Sequence, residues 1–305
     1  MMNLSQPNLA PEISVPTVSS SAMLVELSIG AWSGRKKDKR ATAKVEQDNK
    51  AATGVANVTK KLLGDCAELD AINKFVANVR SINYASTTPW SDIGLRLLPT
   101  VRYFKYHEQM TALRDEFFAK RDAFADVYDW ERTQAQVKLG DLFNPDEYPT
   151  VERIKQAFRF NINYMPLPEV GDWRVEMETS TINTLKTHYE GFYSNQVQTA
   201  MNDVWKRTFE ALSKMSEGLA RYGTKTDKGN KQTFRDSLIE NVVEVTDLLN
   251  DFNVTNSVQM TEMKTRLEDM LRGVTPDALR EDDYLRGQTK RQVDEIIKNL
   301  PSLDI

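Results

Sequence analysis

Apolar residues three and four positions apart recur over much of this 305-residue chain, and that spacing commits it to helices packed on helices. Val55, Val58, Leu62, Leu69, Ile72, Val76 and Val79 line one face of a predicted helix over 50–82, interrupted at Asp65. Such a seam has the spacing of a coiled coil. A second helix is expected from about Thr100 to Leu139, through Met110, Leu113, Phe117, Phe124 and Val127, with Phe118, Tyr128 and Trp130 widening its apolar face. Between them lies Ser86–Tyr106, STTPWSDIGLRLLPTVRYFKY, which is too apolar for a solvated loop. Pro89 discourages helix at Thr88, Ser91 or Asp92 can cap a short turn, and Pro99 fits the start of the next helix. The two helices therefore read as a hairpin joined at this stretch.

Two stretches change period. In Ala22–Trp32, Met23, Val25, Leu27 and Ile29 face one way and Leu24, Glu26 and Ser28 the other. In Phe158–Met165, Phe158, Phe160, Ile162 and Tyr164 alternate with Arg159, Asn161 and Asn163. Both are strand signals, and Trp173, Val175 and Met177 suggest a further strand after the Pro166–Asp172 turn. A short helix over Val151–Ala157 is capped by Thr150. Helix resumes from Glu178 to Tyr222, with Ile182, Leu185, Tyr189 and Phe192 as one stripe and Trp205, Phe209, Leu212, Met215 and Leu219 as another. Further helices are expected over Phe234–Asn250, Val258–Leu271 and Gln288–Asn299. The fold class is mainly α with a minor β part: a long antiparallel helical hairpin or coiled-coil-like bundle with an antiparallel patch of two or three strands. Residues 1–21, rich in Pro, Ser and Asn, read as a disordered arm. Residues 22–222 read as the helical core, 223–230 as a polar linker and 231–305 as C-terminal helices.

Composition narrows the chemistry. A single cysteine, Cys66, permits no intramolecular disulfide and no cysteine-based zinc site, and two histidines, His107 and His188, leave little for histidine-based metal chemistry. There is no P-loop, no GxGxxG after a strand, no HExxH and no GxSxG. No apolar run approaches the roughly 20 residues needed to cross a bilayer, and the N-terminus lacks the pattern of a signal peptide. The expectation is a cytoplasmic, non-enzymatic protein without cofactor or membrane partner.

Two stretches are candidates for contact. In RKKDKRATAK, the cations Arg35, Lys36, Lys37, Lys39, Arg40 and Lys44 are offset only by Asp38. Such a run contacts phosphates or an acidic partner, or else is simply a solvated helix start. The formal net charge of −4 argues against a generally basic nucleic-acid binder but not against a local basic patch. The second candidate is the turn carrying Trp90, Asp92, Leu95, Arg96 and Leu97, read either as a protein-docking surface or as the capped end of the hairpin. Arg96, among leucines, requires a carboxylate or a route to solvent.

The blocks AWSGRKKD (31–38), TPWSDIGLRLLP (88–99), LGDLFNPDEYPT (139–150), FRFNINYMPLP and DWRVEM resemble an uncharacterised family of helical proteins found in bacteria, archaea and especially tailed phages, catalogued as a domain of unknown function. Its members are often encoded near a MoxR-type AAA+ ATPase. The resemblance covers roughly 20–270 and implies an accessory or adaptor role toward such an ATPase, in the host cytoplasm for a phage member. It assigns no catalytic residue. The alternative read from the residues is a single-strand nucleic-acid-binding or recombination accessory protein using 35–44. A virion or anti-host role through helical oligomerisation is a third reading. An intramolecular hairpin and an intermolecular coil need the same seam, so the oligomeric state stays open.

Overall fold

A computed structural model of the chain describes residues 20–167, 179–224 and 233–301. The fold is mainly α with small antiparallel sheets. In order, the elements are β1 (Ala22–Gly30), β2 (Arg35–Lys37), α1 (Lys39–Asp48), β3 (Thr59–Lys61), α2 (Ala67–Ser86), β4 (Thr88–Pro89) and β5 (Leu95–Pro99). Then come α3 (Tyr103–Leu139), α4 (Val151–Ala157), β6 (Arg159–Pro166) and α5 (Thr179–Arg221). The last are α6 (Ser237–Asp251), α7 (Val258–Leu271), α8 (Pro276–Glu281) and α9 (Asp283–Lys298). Four strands form one sheet in the order β4-β5-β1-β6, and β2 pairs with β3 in a second.

The chain forms two compact units. One holds the described residues up to Val25, Thr87–Tyr103 and those from Tyr164 onward; the other holds Glu26–Ser86 and Phe104–Asn163. The described helices on either side of the polar stretch 223–230 fall in one unit.

In the first unit, α6 and α9 pack on α5, α7 packs on α6 and α9, and α8 packs on α9. Tyr193, Val197, Ala200, Val204, Leu212 and Met215 recur at three, four, seven and eight positions and are buried together with Phe234, Val242, Phe252, Met260, Leu267, Leu279 and Val293. The stripe expected through Trp205, Leu212, Met215 and Leu219 is buried, whereas in the first half of α5 Tyr193 is fully buried in place of the exposed Phe192. Helix α7 has the expected bounds, started by Ser257, whose hydroxyl accepts the Met260 N–H.

In the second unit, α2 buries Leu69, Ile72, Val76 and Val79, and α3 buries Met110, Phe117, Phe124 and Tyr128. Phe117 and Phe124 meet Phe158 with ring centroids 6.1 and 6.0 Å apart, and Phe117 lies 5.6 Å from Phe160 of β6. Trp130, expected on the apolar face, is 62% exposed.

The predicted helix over 50–82 is the main correction. Helix begins only at Ala67; residues 50–66 are loop plus β3. Gly54 and Gly64 adopt φ of +95° and +65°, which interrupt a right-handed helix, and Val55 is 68% exposed. The seam with coiled-coil spacing is thereby reduced to α2. The turn 88–99 is likewise not a capped helical turn. It is a short β-hairpin, Thr88 opposite Leu97 and Pro89 opposite Arg96, with Gly94 at φ +101° in its tip. The strand read at Trp173–Met177 lies outside the described residues.

Candidate anion-binding ledge

The basic run folds as strand, cap and helix. β2 carries Arg35, Lys36 and Lys37, and all three are exposed. Asp38 ends the strand and caps α1: its Oδ1 accepts the Ala41 N–H at 2.8 Å. Lys39, Arg40 and Lys44 follow on α1, all exposed. β3 pairs antiparallel with β2, placing Arg35 opposite Lys61, Lys36 opposite Lys60 and Lys37 opposite Thr59. Directly opposed residues share a face and alternate ones return to it, so Arg35, Lys37 and Lys61 stand on one side of the ribbon. Lys61 is the contributor that the linear reading missed. It lies outside the charged run and joins it only through strand pairing.

Two of the four acids of this stretch, Asp38 and Glu46, are turned inward. The buried Lys60 ammonium lies 2.9 Å from Asp38 Oδ2 and 2.8 Å from Glu147 Oε2, and donates to the Leu142 carbonyl at 2.6 Å. Burial disfavours the charge on Lys60, but the bonds to Glu147 and Asp38 outweigh it and hold its pKa above the usual lysine value. Asp38 is held below the usual carboxylate range by the Ala41 N–H first and by Lys60 second. Glu46 Oε1 accepts the Gly54 and Ala56 N–H groups at 2.7 and 3.2 Å, and Thr42 Oγ1 accepts the Val58 N–H at 3.1 Å. The 51–58 loop is thus clipped to α1. Across residues 33–65, eight cations are exposed (Arg35, Lys36, Lys37, Lys39, Arg40, Lys44, Lys50 and Lys61) against two exposed acids, Asp48 and Asp65.

This ledge is frustrated in the free protein. Arg35 and Lys61 are like charges directly opposed across two strands, with Lys61 partly relieved by Asp65, whose Oδ1 lies 3.1 Å from its ammonium. The first turn of α1 has no acid and two cations against the helix dipole, at a few tenths of a kcal/mol each, roughly. Trp32 does not extend the ledge as a stacking surface. Its ring stacks on Phe124 at 6.0 Å and meets Tyr128 edge-on at 5.8 Å, within the unit.

The second candidate resolves differently. Trp90 and Leu97 are buried, with Trp90 edge-on to Tyr193 at 5.4 Å, so the apolar part of this turn is core. Leu95 is half-buried, and only the tip around Asp92 and Ile93 is exposed. Arg96 donates through Nε to Thr87 Oγ1 at 2.6 Å and through its terminal nitrogen to the Thr87 carbonyl at 2.9 Å, and its charge acts on the nearby Asp203 carboxylate. Arg207 donates to the same carbonyl at 2.8 Å and pairs with Asp203.

Cys66, Glu68 and Glu131 bring one ligand atom each to within 4.8 Å of one another. Lys138 competes for this group: its ammonium lies 3.2 Å from Glu131 Oε2 and 3.3 Å from the Asp65 carbonyl. Burial pushes the Cys66 thiol up, which disfavours its thiolate in the free protein. His107 and His188 are exposed on α3 and α5. In the first unit, cavities of about 440 and 250 Å³ meet at Arg266 and Asn299, lined by residues of α7 and α9. Their lining includes the carboxylates Asp269, Glu295 and Glu262 together with Arg266, without a nucleophile or histidine among the lining groups. Comparison with protein-family models, curated proteins and solved structures finds no significant match, so a functional reading rests on the residues themselves.

Proposed function

We propose that this chain is a non-enzymatic binding protein that holds a polyanionic partner on the β2–β3–α1 ledge. The observation that carries the reading is the excess of exposed cations over exposed acids across 33–65, in a chain whose formal net charge is −4. Asp38 and Glu46, the acids best placed to neutralise those cations, are spent on Lys60 and on backbone N–H groups. A counter-charge from outside relieves the repulsion between opposed cations, which gives the bound state an advantage the free state lacks. The accessory role toward a MoxR-type AAA+ ATPase rests on the family resemblance, and the 88–99 turn lends it no support because Trp90 and Leu97 are buried.

Retention on a heparin column at neutral pH and low salt tests the reading. The native protein is expected to be retained despite its acidic total. A variant with Lys36, Lys37, Lys39 and Arg40 changed to Gln, with an unchanged circular dichroism spectrum, is expected to run through. Equal elution of the two overturns the proposal.

A further inference from the structure

We infer that the partner on the ledge is nucleic acid, held by its phosphate backbone alone, and that duplex is bound in preference to single strand. This deepens the polyanion reading and rests on it. The first argument is what the ledge lacks. A stable contact with a folded acidic protein is anchored by large apolar or aromatic side chains at its centre. From Ser33 to Lys61 the chain has no aromatic residue, and its exposed large hydrophobics are Val45 and Val55 alone. The second argument is the placing of Trp32. Single-strand binders add affinity by stacking bases on exposed rings. The aromatic residue nearest the run in sequence already has its ring stacked on Phe124 and edge-on to Tyr128.

The third argument is spacing. Arg40 and Lys44 stand one helical turn apart on α1, about 6 Å along the axis. Arg35 and Lys37 stand two residues apart on β2, about 6 to 7 Å. Those intervals match successive phosphates of a strand, which are separated by a similar distance. A row of cations takes its affinity largely from counterion release, and that favours the higher axial charge density of a duplex. Arg35 and Arg40 are side chains of the ledge able to reach guanine edges, and binding through the backbone alone requires that they stay on phosphates.

Fluorescence anisotropy with labelled 24-mers is the test, run with the full chain against a duplex, the single strand and polyglutamate. Affinity is expected to fall in that order, with no dependence on base composition. For the duplex, the slope of log K against log salt is expected to become shallower by roughly 3 to 4 when Lys36, Lys37, Lys39 and Arg40 are changed to Gln. Trp32→Phe is expected to leave single-strand affinity within about twofold, since the ring is not available to bases. Single strand bound as tightly as duplex, affinity that follows base composition, or polyglutamate matching the duplex overturns this inference while heparin retention leaves the polyanion reading standing. Failure to bind any of the three, together with loss of heparin retention, overturns both.

Discussion

Asp38 Oδ2 lies 2.9 Å from Lys60 Nζ while Asp38 Oδ1 accepts the Ala41 N–H at 2.8 Å. One carboxylate therefore starts α1 and fastens β3 to the end of β2. With Glu147 on the other side of Lys60, this ion triad holds the ledge in place, and it explains why a run of repelling cations adopts a defined geometry at all.

Removing Lys60 leaves two largely buried carboxylates facing one another. Lys60→Ala is expected to destabilise the unit holding the ledge by about 3 to 5 kcal/mol, the range for breaking a buried ion pair from one side. Urea unfolding followed by circular dichroism reads the loss. A change below about 1 kcal/mol contradicts the role given to the triad.

The triad also sets a pH dependence. The folded-state pKa of Asp38 is depressed, so its stabilisation is present above its ordinary value of 3.8 and is lost as pH falls through the lower folded value. Lys60 is raised, so its contribution is present below its ordinary 10.5 and is lost as pH rises through the higher folded value. The difference in unfolding midpoint between native protein and Asp38→Asn is expected to stay constant across mid-range pH and to shrink below about pH 4. A difference that grows toward acid contradicts this sign.

Gly34 has φ +60°, and a Cβ built there would lie 2.7 Å from Leu69 Cδ2. Its carbonyl also accepts the Leu62 N–H at 2.7 Å, next to the β2–β3 pair. Gly34→Ala is expected to cost about 1 to 2 kcal/mol from the left-handed backbone alone, with the displacement of Leu69 in addition. Thermal unfolding measures it; an unchanged Tm contradicts the geometry.

The hairpin 88–99 divides into core and tip. Trp90→Ala is expected to lose about 3 to 5 kcal/mol, as for other large side chains removed from a core. Ile93→Ser, at a position 85% exposed, is expected to be within about 0.5 kcal/mol of native. Equal effects at the two positions contradict the assignment of Trp90 to the interior.

How much of this was legible in the sequence depended on how local each signal is. Strands β1 and β6 announced themselves through alternation, and α4 and α7 through Thr150 and Ser257 at their caps. The ribbon β2–β3 did not. RKK and TKK carry no apolar alternation, because the exposed faces of both strands bear charge. Val55, Val58 and Leu62 happen to fit helical spacing, yet Gly54 and Gly64 turn the backbone between them. Six ledge cations were readable as a run, whereas Lys61 joins them by pairing, and the inward turn of Lys60 depends on Glu147 from a distant loop. Trp90 was readable as important, but whether it faces inward depends on Tyr193 of α5, which no local pattern reveals.

The claim that the ledge is the polyanion site is tested most directly by lysine acetylation footprinting, read by mass spectrometry with and without a saturating 24-mer duplex at low salt. Lys37, Lys39, Lys44 and Lys61 are expected to be protected together, Lys60 to be unreactive throughout, and the exposed Lys74 and Lys206 to be unaffected. Protection centred on Lys74 or Lys206, or no protection of the ledge lysines while the duplex is bound, would contradict the account.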